Sequence, residues 1–473
     1  MENGVHIIVG CPGTGKTTKL IDIMEKEMSQ GVEPEEIAFV SFTKKASQEA
    51  VTRAVDTFRL TSKDFPWIRA LHSLAYNRLG VRRNEIMDDE HYQEVGKMLG
   101  IEFTGKEDYT EGLFSMKPTG DLYNHILGFS RARNISIEHA WDLLLGDDHL
   151  DWYEFKRFVN TIEEYKRDNG LMDFNDLLEQ NHEPLPVKVA IIDEAQDLST
   201  LQWMFALNIF RNVQRLYIAG DDDQAIYTWS GADVRYFRNL KGHVEVLPQS
   251  YRIPRSVHDI ADEIVNRIHN RMPKKYLPRQ EEGIVEFHQT YDDIDLTSGS
   301  WLLLSRNTFH LGPLAELARQ QGVAYSYRGH SSTNKKYIRA IQLWEGMRKG
   351  VELTTEEKLF LKDYLPEGAT FNPSLIWHEA LTGIPFLERE YYISMLRRGE
   401  KILKEPRVNI STIHGVKGGE ADNVLLISDV SYKTYHSQEV RPESEHRVWY
   451  VAATRAKKEL HIVVPRTQYG YFI

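Results

Sequence analysis

"HIIVGCPGTGKT", residues 6–17, joins an apolar run to a glycine-rich turn that ends in a lysine and a threonine. Gly10, Gly15, Lys16 and Thr17 stand at the fixed positions of the phosphate-binding pattern G-x-x-x-x-G-K-S/T. In that pattern backbone N–H groups surround phosphate oxygens, the lysine neutralises charge on the β- and γ-phosphates, and the hydroxyl binds magnesium. The strand before the turn and the helix after it predict a nucleoside triphosphate site in an α/β fold. The alternative, a glycine-rich turn without a ligand, would not require the lysine.

Short apolar runs recur along the chain and alternate with helical patterns, as expected for parallel sheets covered by helices. One set is 6–10, 37–42, 188–193, 215–221 and 244–250, and a second set is 301–306, 408–415, 423–429 and 460–464. We predict two separate α/β cores, each interrupted by a mainly helical insertion. The predicted division is 1–79 and 166–252 for the first core, 80–165 for its insertion, 253–334 and 404–473 for the second core, and 335–403 for its insertion.

The composition excludes several classes of protein. The 473-residue chain has 41% hydrophobic and 27% charged residues, which is typical of a soluble globular protein. Its single cysteine, Cys11, excludes an internal disulfide and a cysteine-based zinc site and fits a reducing cytosol. No apolar run approaches about 18 residues, and the first residues lack a signal-peptide pattern, so we expect no membrane contact. The net charge of −11 leaves room for a local basic groove.

A second acidic signal follows another apolar run, in "VAIIDEAQD", residues 189–197. Asp193 and Glu194 leave this run at the carboxyl edge of the predicted sheet, where side chains can face a ligand. Asp193 suits magnesium ligation, and Glu194 suits activation of an attacking water. Two acids in this position are also common as a charge pattern at a helix N-terminus. Together with the phosphate loop, they favour hydrolysis of a nucleoside triphosphate.

Eight segments in one order resemble the motifs of the UvrD/Rep/PcrA helicases of superfamily 1. They are "GCPGTGKT" (10–17), "FVSFTKKAS" (39–47), "ALHSLAYNRL" (70–79), "IIDEAQD" (191–197), "GDDDQAIYTWSGA" (220–232), "LPQSYR" (247–252), "ISTIHGVKGGEADNVLLISD" (410–429) and "YVAATRAKKELHIV" (450–463), and "WLLLSR" (301–306) begins a further matching stretch. The resemblance implies two RecA-like cores that bind ATP and single-stranded DNA. The two insertions match the family poorly.

The resemblance assigns roles around ATP and Mg²⁺, the two cofactors it implies. Gln224 would sense the γ-phosphate, and Arg252 and Arg455 would reach it from the second-core side. Tyr251 would stack on the base, and Glu420 would hold the ribose. The other residues that we expect to bind the nucleotide belong to the phosphate loop: Gly10, Pro12, Gly13, Thr14, Gly15, Lys16, Thr17 and Thr18. Thr17 and Asp193 are the expected metal ligands.

The DNA-side residues rest on the same resemblance. Three carboxylates, Asp221–Asp223, stand beside Gln224 near the phosphate, and Tyr227 and Trp229 follow where bases could stack on them. Trp229 could equally be a core tryptophan. Further candidates, each of which could instead be a strand-end residue with a local partner, are Phe42, Thr43, Lys45, His72, Arg306, Thr412 and His414. Candidate phosphate contacts, which could also be solvated charges, are Lys44, Lys45, Arg82, Arg83, Arg131 and Arg133.

Some positions depart from the family pattern. Ser230 replaces an arginine expected near the DNA, and Gly419 and Ala421 replace large apolar residues. In the family a glutamine-containing segment ahead of the first strand helps to recognise adenine, and we find no such segment here. The sequence therefore predicts binding of a nucleoside triphosphate but does not specify that its base is adenine. The short 335–403 insertion indicates a compact variant, for which a virus-encoded origin is an alternative to a bacterial cytoplasmic one.

The motifs predict an ATP-dependent 3′–5′ DNA helicase that acts as a monomer on single strands and single-strand/duplex junctions. One alternative is a single-strand translocase that displaces proteins with little unwinding. Another is a P-loop enzyme that acts on a small molecule. Single-strand-binding, replication or repair proteins are possible partners. DNA repair, replication restart, recombination control and mobile-element roles all fit the same motor.

Overall fold

The computed structural model describes residues 4–41, 44–105, 118–145, 150–180 and 182–473; the side chains of residues 44–46, 49 and 145 are outside this description. The chain forms two compact units. Unit 1 comprises Met1–Glu282 and His436–Thr454, and unit 2 comprises Gly283–Tyr435 and Arg455–Ile473. Residues 253–282 and 436–454, which the sequence assigned to the second core, fall in unit 1. The core boundaries drawn from the sequence stay a prediction.

Unit 1 contains a six-stranded sheet in which every described strand pair is parallel. Its strand order is β3-β2-β4-β5-β1-β6. Because all strands run the same way, their carboxyl ends meet at one edge, the usual ligand edge of such sheets. The strands are β1 Val5–Gly10, β2 Ile37–Ser41, β3 Ile68–Ala70, β4 Val189–Asp193, β5 Arg215–Gly220 and β6 His243–Leu247.

Apolar side chains alternate between the two faces of this sheet, as the period of a strand requires. Ile7, Val9 and Ile192 pack into one core cluster, whereas Ile8 and Ile191 pack into the other. Helices cover both faces, and the insertion has a separate aromatic core. The helices that lie wholly in unit 1 are α1 Lys16–Ser29, α2 Lys44–Phe58, α3 Leu71–Leu79, α4 Asp89–Leu99, α5 Thr119–Arg133, α6 Ile137–Leu145, α7 Trp152–Asn169, α8 Phe174–Glu179, α9 Thr200–Ile209, α10 Val234–Arg238, α11 Arg255–Val265 and α18 Pro442–Ala453.

Unit 2 contains a seven-stranded sheet of order β10-β9-β11-β8-β12-β13-β7, antiparallel only between β9 and β10 among its described pairs. Its strands are β7 Ile284–His288, β8 Trp301–Ser305, β9 Tyr325–Tyr327, β10 His330–Ser331, β11 Val408–Thr412, β12 Ala421–Ile427 and β13 Ala456–Val463. Helices α12 to α16 lie wholly in this unit, and four of them form the second insertion. They are α12 Leu311–Gln320, α13 Lys335–Arg348, α14 Thr355–Lys362, α15 Trp377–Ala380 and α16 Phe386–Arg397, and α17 Tyr432–Val440 crosses the unit boundary.

The predicted fold class is confirmed: each of the nine apolar runs forms a strand, and both insertions are mainly helical. The sequence missed β3, β7, β9 and β10. Strands β3, β7 and β10 lie at sheet edges, and β9, only three residues long, adjoins β10. These strands are short or expose polar side chains, so they lack the continuous apolar run of a strand buried on both faces. Among the helices that the structure describes, none is long and apolar enough to cross a membrane.

Candidate functional site

The loop after β1 is closed by its own backbone and by glycine conformations. Gly13 and Gly15 have φ values of 74° and 79°, in the left-handed region that favours glycine. The Thr14 hydroxyl donates to the Cys11 carbonyl at 2.8 Å. A Cβ at Gly10 would lie 2.4 Å from Cγ of Lys16. The local sequence therefore dictates a loop that larger residues could not adopt.

Lys16 and the start of α1 give this loop its positive character. The Lys16 ammonium donates to the Gly10 carbonyl at 2.8 Å, which holds its side chain across the loop. Helix α1 has no side-chain cap and no acidic residue in its first turn. The first N–H groups of a helix lack helical partners and attract anions. The arrangement fits the phosphate groups of a nucleotide.

Asp193 ends β4 beside this loop and is 3% exposed. Its carboxylate accepts a hydrogen bond from the Thr17 hydroxyl at 3.3 Å. Burial and the neighbouring Glu194 carboxylate raise the pKa of Asp193, although Lys16 and Thr17 oppose this shift. A hydroxyl and a carboxylate are oxygen donors of the kind that Mg²⁺ takes in phosphate sites. The predicted metal ligands therefore lie together and fit the ion.

Glu194 takes a left-handed backbone conformation, with φ of 51°, immediately after the strand. Its carboxylate accepts a hydrogen bond from the Gln196 amide at 2.5 Å. The carbonyl oxygen of the same Gln196 side chain accepts the Asp221 N–H at 3.0 Å. Gln196 thus connects the acidic residues after β4 with the turn after β5. The sequence analysis missed this role, because an amide within "DEAQD" gives no signal of its two partners.

Residues 250–252 bind the outer side of the phosphate loop. The Ser250 hydroxyl donates to the Pro12 carbonyl and the Tyr251 N–H donates to the Gly13 carbonyl, both at 2.8 Å. The Tyr251 side chain is 74% exposed, so its ring is open to a base. Cβ of Arg252 lies 2.3 Å from the position that a Cβ at Gly13 would occupy. Arg252, the last residue of the predicted first core, lies in unit 1 against the phosphate loop, and its reach to the γ-phosphate stays a prediction.

The three carboxylates after β5 are buried, and two cations bind them. Each of Asp221, Asp222 and Asp223 is 0% exposed. The Lys274 ammonium pairs with Asp221 at 3.0 Å, with Asp223 at 2.8 Å and also with Asp222. Arg271 makes a two-pronged ion pair with Asp223, at 2.6 to 3.1 Å. We call these five residues the Asp–Lys network. Its cations come from "RMPKK", a segment that the sequence analysis did not single out.

The turn around the Asp–Lys network also binds Gln224, the predicted phosphate sensor. The Gln224 amide donates to Asp221 at 2.7 Å, and Gln224 is 6% exposed. The Arg447 guanidinium donates to the Asp222 carbonyl at 2.9 Å. The three aspartates therefore stabilise the turn that carries Gln224. They are not free acids that face a ligand.

Tyr227 and Trp229 lie just beyond this turn, and both are partly exposed. Their ring centroids are 6.4 Å apart, and the Trp229 ring stacks near the His125 ring with an interplanar angle of 11°. The Ser230 hydroxyl, where the family has an arginine, donates to the Tyr227 carbonyl at 2.9 Å. Trp229 is therefore neither a core tryptophan nor fully solvated. Its role in base stacking stays a prediction.

His72 follows β3 at the same carboxyl edge and packs against the exposed ring of Phe174, with centroids 6.0 Å apart. Burial lowers the pKa of His72 to about 4, so its imidazole is neutral at physiological pH. Phe174 is an aromatic candidate that the sequence analysis missed. Phe42 and Thr43 lie outside the described residues, as do the side chains of Lys44 and Lys45.

Two of the expected phosphate contacts are instead paired with carboxylates. Arg131 binds Asp173 at 2.7 Å and also Asp176 and Glu179, and Arg133 binds Asp233 at 2.8 Å. Although burial opposes the shift, hydrogen bonding and these negative charges raise the pKa of Arg131. The expectation that Arg131 and Arg133 contact phosphate is therefore corrected. Arg82 and Arg83 are exposed, and their phosphate contacts stay a prediction.

Arg455 and Glu420 lie in unit 2 and have partners there. Arg455 is 2% exposed, and its guanidinium donates to the Gly419 carbonyl at 3.3 Å. The Glu420 carboxylate lies 3.5 Å from the Lys457 ammonium. The structure brings these two residues to neighbouring strands, since Glu420 precedes β12 and Arg455 precedes β13. Their roles at the nucleotide stay predictions.

The remaining DNA candidates of unit 2 lie at the ends of adjacent strands. Arg306 follows β8 and Thr412 ends β11, while His414 begins the next turn. Their exposed fractions are 1%, 0% and 3%. The Thr412 hydroxyl accepts the Gly415 N–H at 3.2 Å. These values leave little side-chain surface for direct contact, and DNA binding by the three residues stays a prediction.

Two family models match the chain. The UvrD/REP helicase N-terminal domain matches residues 1–245, and the UvrD-like helicase C-terminal domain matches residues 386–467. The first match alone covers more than half of the 473 residues. Both matches agree with the family that the motifs predicted.

Several bacterial proteins are similar in sequence. The ATP-dependent DNA helicase PcrA of Bacillus subtilis is 25% identical over 313 residues, which is 60% of this chain and 40% of PcrA. A probable DNA helicase of Mycoplasma pneumoniae is 23% identical over 98% of this chain and 81% of its own length. The ATP-dependent DNA helicase UvrD2 of Mycobacterium tuberculosis is 24% identical over 96% of this chain and 76% of its own length. This chain thus spans less than half of PcrA but most of the other two proteins.

Solved structures give weaker similarity. The helicase of PRRSV has a TM-score of 0.36 at 10% identity, covering 98% of this chain and 53% of that structure. The arterivirus nonstructural protein 10 helicase, solved with DNA, has a TM-score of 0.35 at 12% identity, covering 98% and 62%. These scores are too low to carry an argument. On the family models, the predicted family is confirmed: the chain belongs to the UvrD/REP helicase family.

Proposed function

We propose that this protein is an ATP-dependent DNA helicase that moves 3′ to 5′ along single-stranded DNA. The observation that carries the proposal is the phosphate site of unit 1. There Lys16 spans a glycine loop, and Thr17 contacts Asp193 at 3.3 Å beside Glu194. These residues form the hydrolytic half of a nucleotide motor within a chain of the UvrD/REP family.

Each side chain of this site has a role in hydrolysis. Lys16 binds the β- and γ-phosphates, and Thr17 and Asp193 would hold Mg²⁺, which neutralises phosphate charge when bound. Glu194 accepts the proton of the attacking water, and Gln196 orients the Glu194 carboxylate. The raised pKa of Asp193 marks a carboxylate whose ionised form is not fully compensated by the protein, so a bound cation would stabilise it.

From the motif match we propose four further residues for nucleotide binding. We propose that the exposed Tyr251 ring stacks on the base and that Glu420 holds the ribose. A guanidinium keeps its charge and can grip phosphoryl oxygens in two places, so we propose that Arg252 and Arg455 stabilise charge that develops during hydrolysis. We expect adenine nucleotides to be preferred, because the relatives PcrA and UvrD2 are ATP-dependent DNA helicases.

A single segment of unit 1 connects the nucleotide site with the proposed DNA platform. Gln196 bonds both Glu194 and Asp221, and Gln224 bonds Asp221. Tyr227 and Trp229 follow within five residues of Gln224. Bases can stack on such rings without regard to sequence. We propose that a change at the phosphate alters DNA binding through this short hydrogen-bonded connection.

The wider setting is also a proposal. We place a monomer in a bacterial cytoplasm, since the relatives named above are bacterial and offer no support for a virus-encoded origin. Single strands and single-strand/duplex junctions would be its substrates, and single-strand-binding, replication or repair proteins its partners. Most of the length of UvrD2 aligns with this chain, which favours a motor over a small-molecule P-loop enzyme.

The test is ATP hydrolysis by the purified chain with and without single-stranded DNA, with Glu194→Gln as the inactive control. Strong stimulation by DNA that Glu194→Gln abolishes supports the motor. A rate that does not respond to DNA contradicts it and favours the small-molecule enzyme. Duplexes with a 3′ or a 5′ single-stranded tail then test polarity, since only the 3′-tailed duplex should be separated. Movement on single strands without separation would identify the protein-displacing translocase.

A further inference from the structure

A cluster of histidine and glutamate side chains lies at the edge of the sheet of unit 2, separate from the nucleotide site. Glu286 and His288 are two residues apart on β7, so they share a face of that edge strand. His461, on the neighbouring β13, is the register partner of Glu286. Strand pairing therefore places three potential metal ligands next to one another. The proposed helicase function uses none of them.

The ligand atoms of these residues form a small triangle. Nε2 of His288 is 3.0 Å from Nδ1 of His461, and Oε2 of Glu286 lies 3.6 Å and 3.5 Å from these two nitrogens. The point equidistant from three atoms at these separations is about 2.0 Å from each, which is the usual distance of Zn²⁺ from histidine nitrogen and carboxylate oxygen. One ion could therefore contact all three atoms without rearrangement of the backbone.

The surroundings are those of a metal-binding histidine. The second nitrogen of His461, Nε2, lies 3.2 Å from the Glu459 carboxylate. A ligating histidine almost always gives its other N–H to a carboxylate, carbonyl or water, which fixes the tautomer that binds the metal. The His461 ring is 8% exposed and lies 5.3 Å from the Trp301 ring, so its position is restricted. The Glu286 side chain is 54% exposed, which leaves solvent access on one side.

One other group of side chains among the described residues has the spacing of a metal site, but a lysine already binds it. Asp221, Asp222 and Asp223 also lie close enough to hold an ion, but the Lys274 ammonium pairs with all three. No lysine or arginine pairs with the cluster of β7 and β13 among the ion pairs of the described residues, and its two imidazoles favour a transition metal over Mg²⁺.

We propose that Glu286, His288 and His461 form a site for a divalent transition-metal ion, most suitably Zn²⁺, with Glu459 as the positioning residue for His461. The ion would tie the edge strand β7 to β13 and keep one coordination position for water. This link would stabilise unit 2 by holding the edge strand β7 on its partner β13. The inference does not depend on the proposed helicase function.

The experiment uses the full chain without an affinity tag, freed of metal with a chelator and kept free of nucleotide. Zn²⁺ is titrated by calorimetry, and the thermal unfolding midpoint is measured with and without the ion. We expect one tight site per chain and a rise in the midpoint. Glu459→Gln should weaken binding about 10- to 100-fold, and His288→Ala should weaken it more.

His330→Ala is the matched control, because His330 is exposed on β10 at the opposite edge of the same sheet. It should bind Zn²⁺ as the unaltered chain does. Glu286→Gln provides a second loss variant if His288→Ala folds poorly. Equal Zn²⁺ affinity in Glu286→Gln, His288→Ala and His330→Ala would overturn the proposal. So would an unaltered chain without a tight site, and the cluster would then be only a hydrogen-bonded histidine pair.

Discussion

The acidic residues after β4 and after β5 occupy equivalent places on neighbouring parallel strands, yet they have different surroundings. Asp193 ends β4 and lies beside Lys16 and the Thr17 hydroxyl, and Glu194 is the next residue. The three aspartates after β5 are paired with Lys274 and Arg271 inside unit 1. Acids at the carboxyl edge of a sheet can therefore face a proposed ligand site or stabilise the fold. The cations that surround the acids distinguish these two cases.

The pKa directions of Asp193 and Asp221 differ in the same sense, whereas burial and the neighbouring aspartates raise the pKa of Asp222 against the opposing charge of Lys274. Burial and Glu194 raise the pKa of Asp193, so this carboxylate is poorly compensated by the protein. Burial also acts on Asp221, but Lys274 and Lys16 outweigh it and hold the pKa of Asp221 below its usual value. A poorly compensated carboxylate gains from a bound cation, whereas a compensated one does not. The comparison agrees with the catalytic role proposed for the end of β4, and the ion pairs of Lys274 and Arg271 give the end of β5 a stabilising role.

The largest effect is expected when the Asp–Lys network at the end of β5 loses Lys274. Lys274→Met should leave three buried carboxylates without their shared cation and lower the free energy of unfolding by about 3–5 kcal/mol. Lys275→Met is the control, because Lys275 is the exposed neighbour and should change little. Chemical denaturation of both variants measures the difference. Equal stability of the two would remove the structural role of the Asp–Lys network.

Substitutions beside Asp193, at the end of β4, should change the rate of ATP hydrolysis and not the free energy of unfolding. Lys16→Ala should reduce ATP hydrolysis about 10²- to 10³-fold, the usual cost of one lost charge-stabilising group. Lys19→Ala is the matched control, since Lys19 lies one turn further along α1 in a partly exposed ion pair with Glu245. Steady-state ADP release measures both variants. Comparable rates for the two would contradict phosphate binding by Lys16.

The residues that follow Gln224, beyond the end of β5, allow a test of DNA binding. Trp229→Ala should weaken single-strand binding by about 1–3 kcal/mol, the value of one stacked base. Tyr153→Ala, which removes a ring that is 77% exposed on α7, should not. Fluorescence anisotropy with a labelled oligonucleotide at fixed salt measures both. Unchanged affinity in Trp229→Ala would exclude this ring from the platform.

A third strand end, after β3, should show the smallest effect and a pH dependence. The pKa of His72 is about 4 in the fold and about 6.5 when unfolded, so between these values the unfolded chain binds the additional proton. This group therefore destabilises the fold progressively as the pH falls from about 6.5 to about 4. His72→Gln should lose less stability than the unaltered chain over this window. Parallel pH profiles of unfolding free energy would contradict the lowered pKa of His72.

Much of this arrangement could be predicted from the sequence because its signals are local. The phosphate loop is fixed by glycine, lysine and threonine spacing within eight residues, and the central strands are continuous apolar runs. The Asp–Lys network could not be predicted, because Lys274 lies 52 residues from Asp222 along the chain. Nothing in "GDDDQ" indicates which cation will bind it. The edge strand β7 was missed because its side chains are largely exposed.

The same limit explains the errors in the basic residues. Arg131 and Arg133 have the charge of phosphate ligands, but their carboxylate partners Asp173, Asp176, Glu179 and Asp233 come from other parts of the fold. A charged side chain in a sequence does not reveal whether a buried acid already binds it. Local spacing predicted that Asp193 and Thr17 lie together, whereas tertiary packing determined the supporting role of the aspartates after β5.

The central claim is best tested by measuring hydrolysis and stability together in Glu194→Gln and Lys274→Met. For Glu194→Gln we predict ATP hydrolysis reduced about 10²- to 10⁴-fold with an unchanged free energy of unfolding. For Lys274→Met we predict a large loss of stability, and a hydrolysis rate per folded molecule that falls far less than in Glu194→Gln. The reverse result, a stable but inactive Lys274→Met beside an unstable but active Glu194→Gln, would contradict the account.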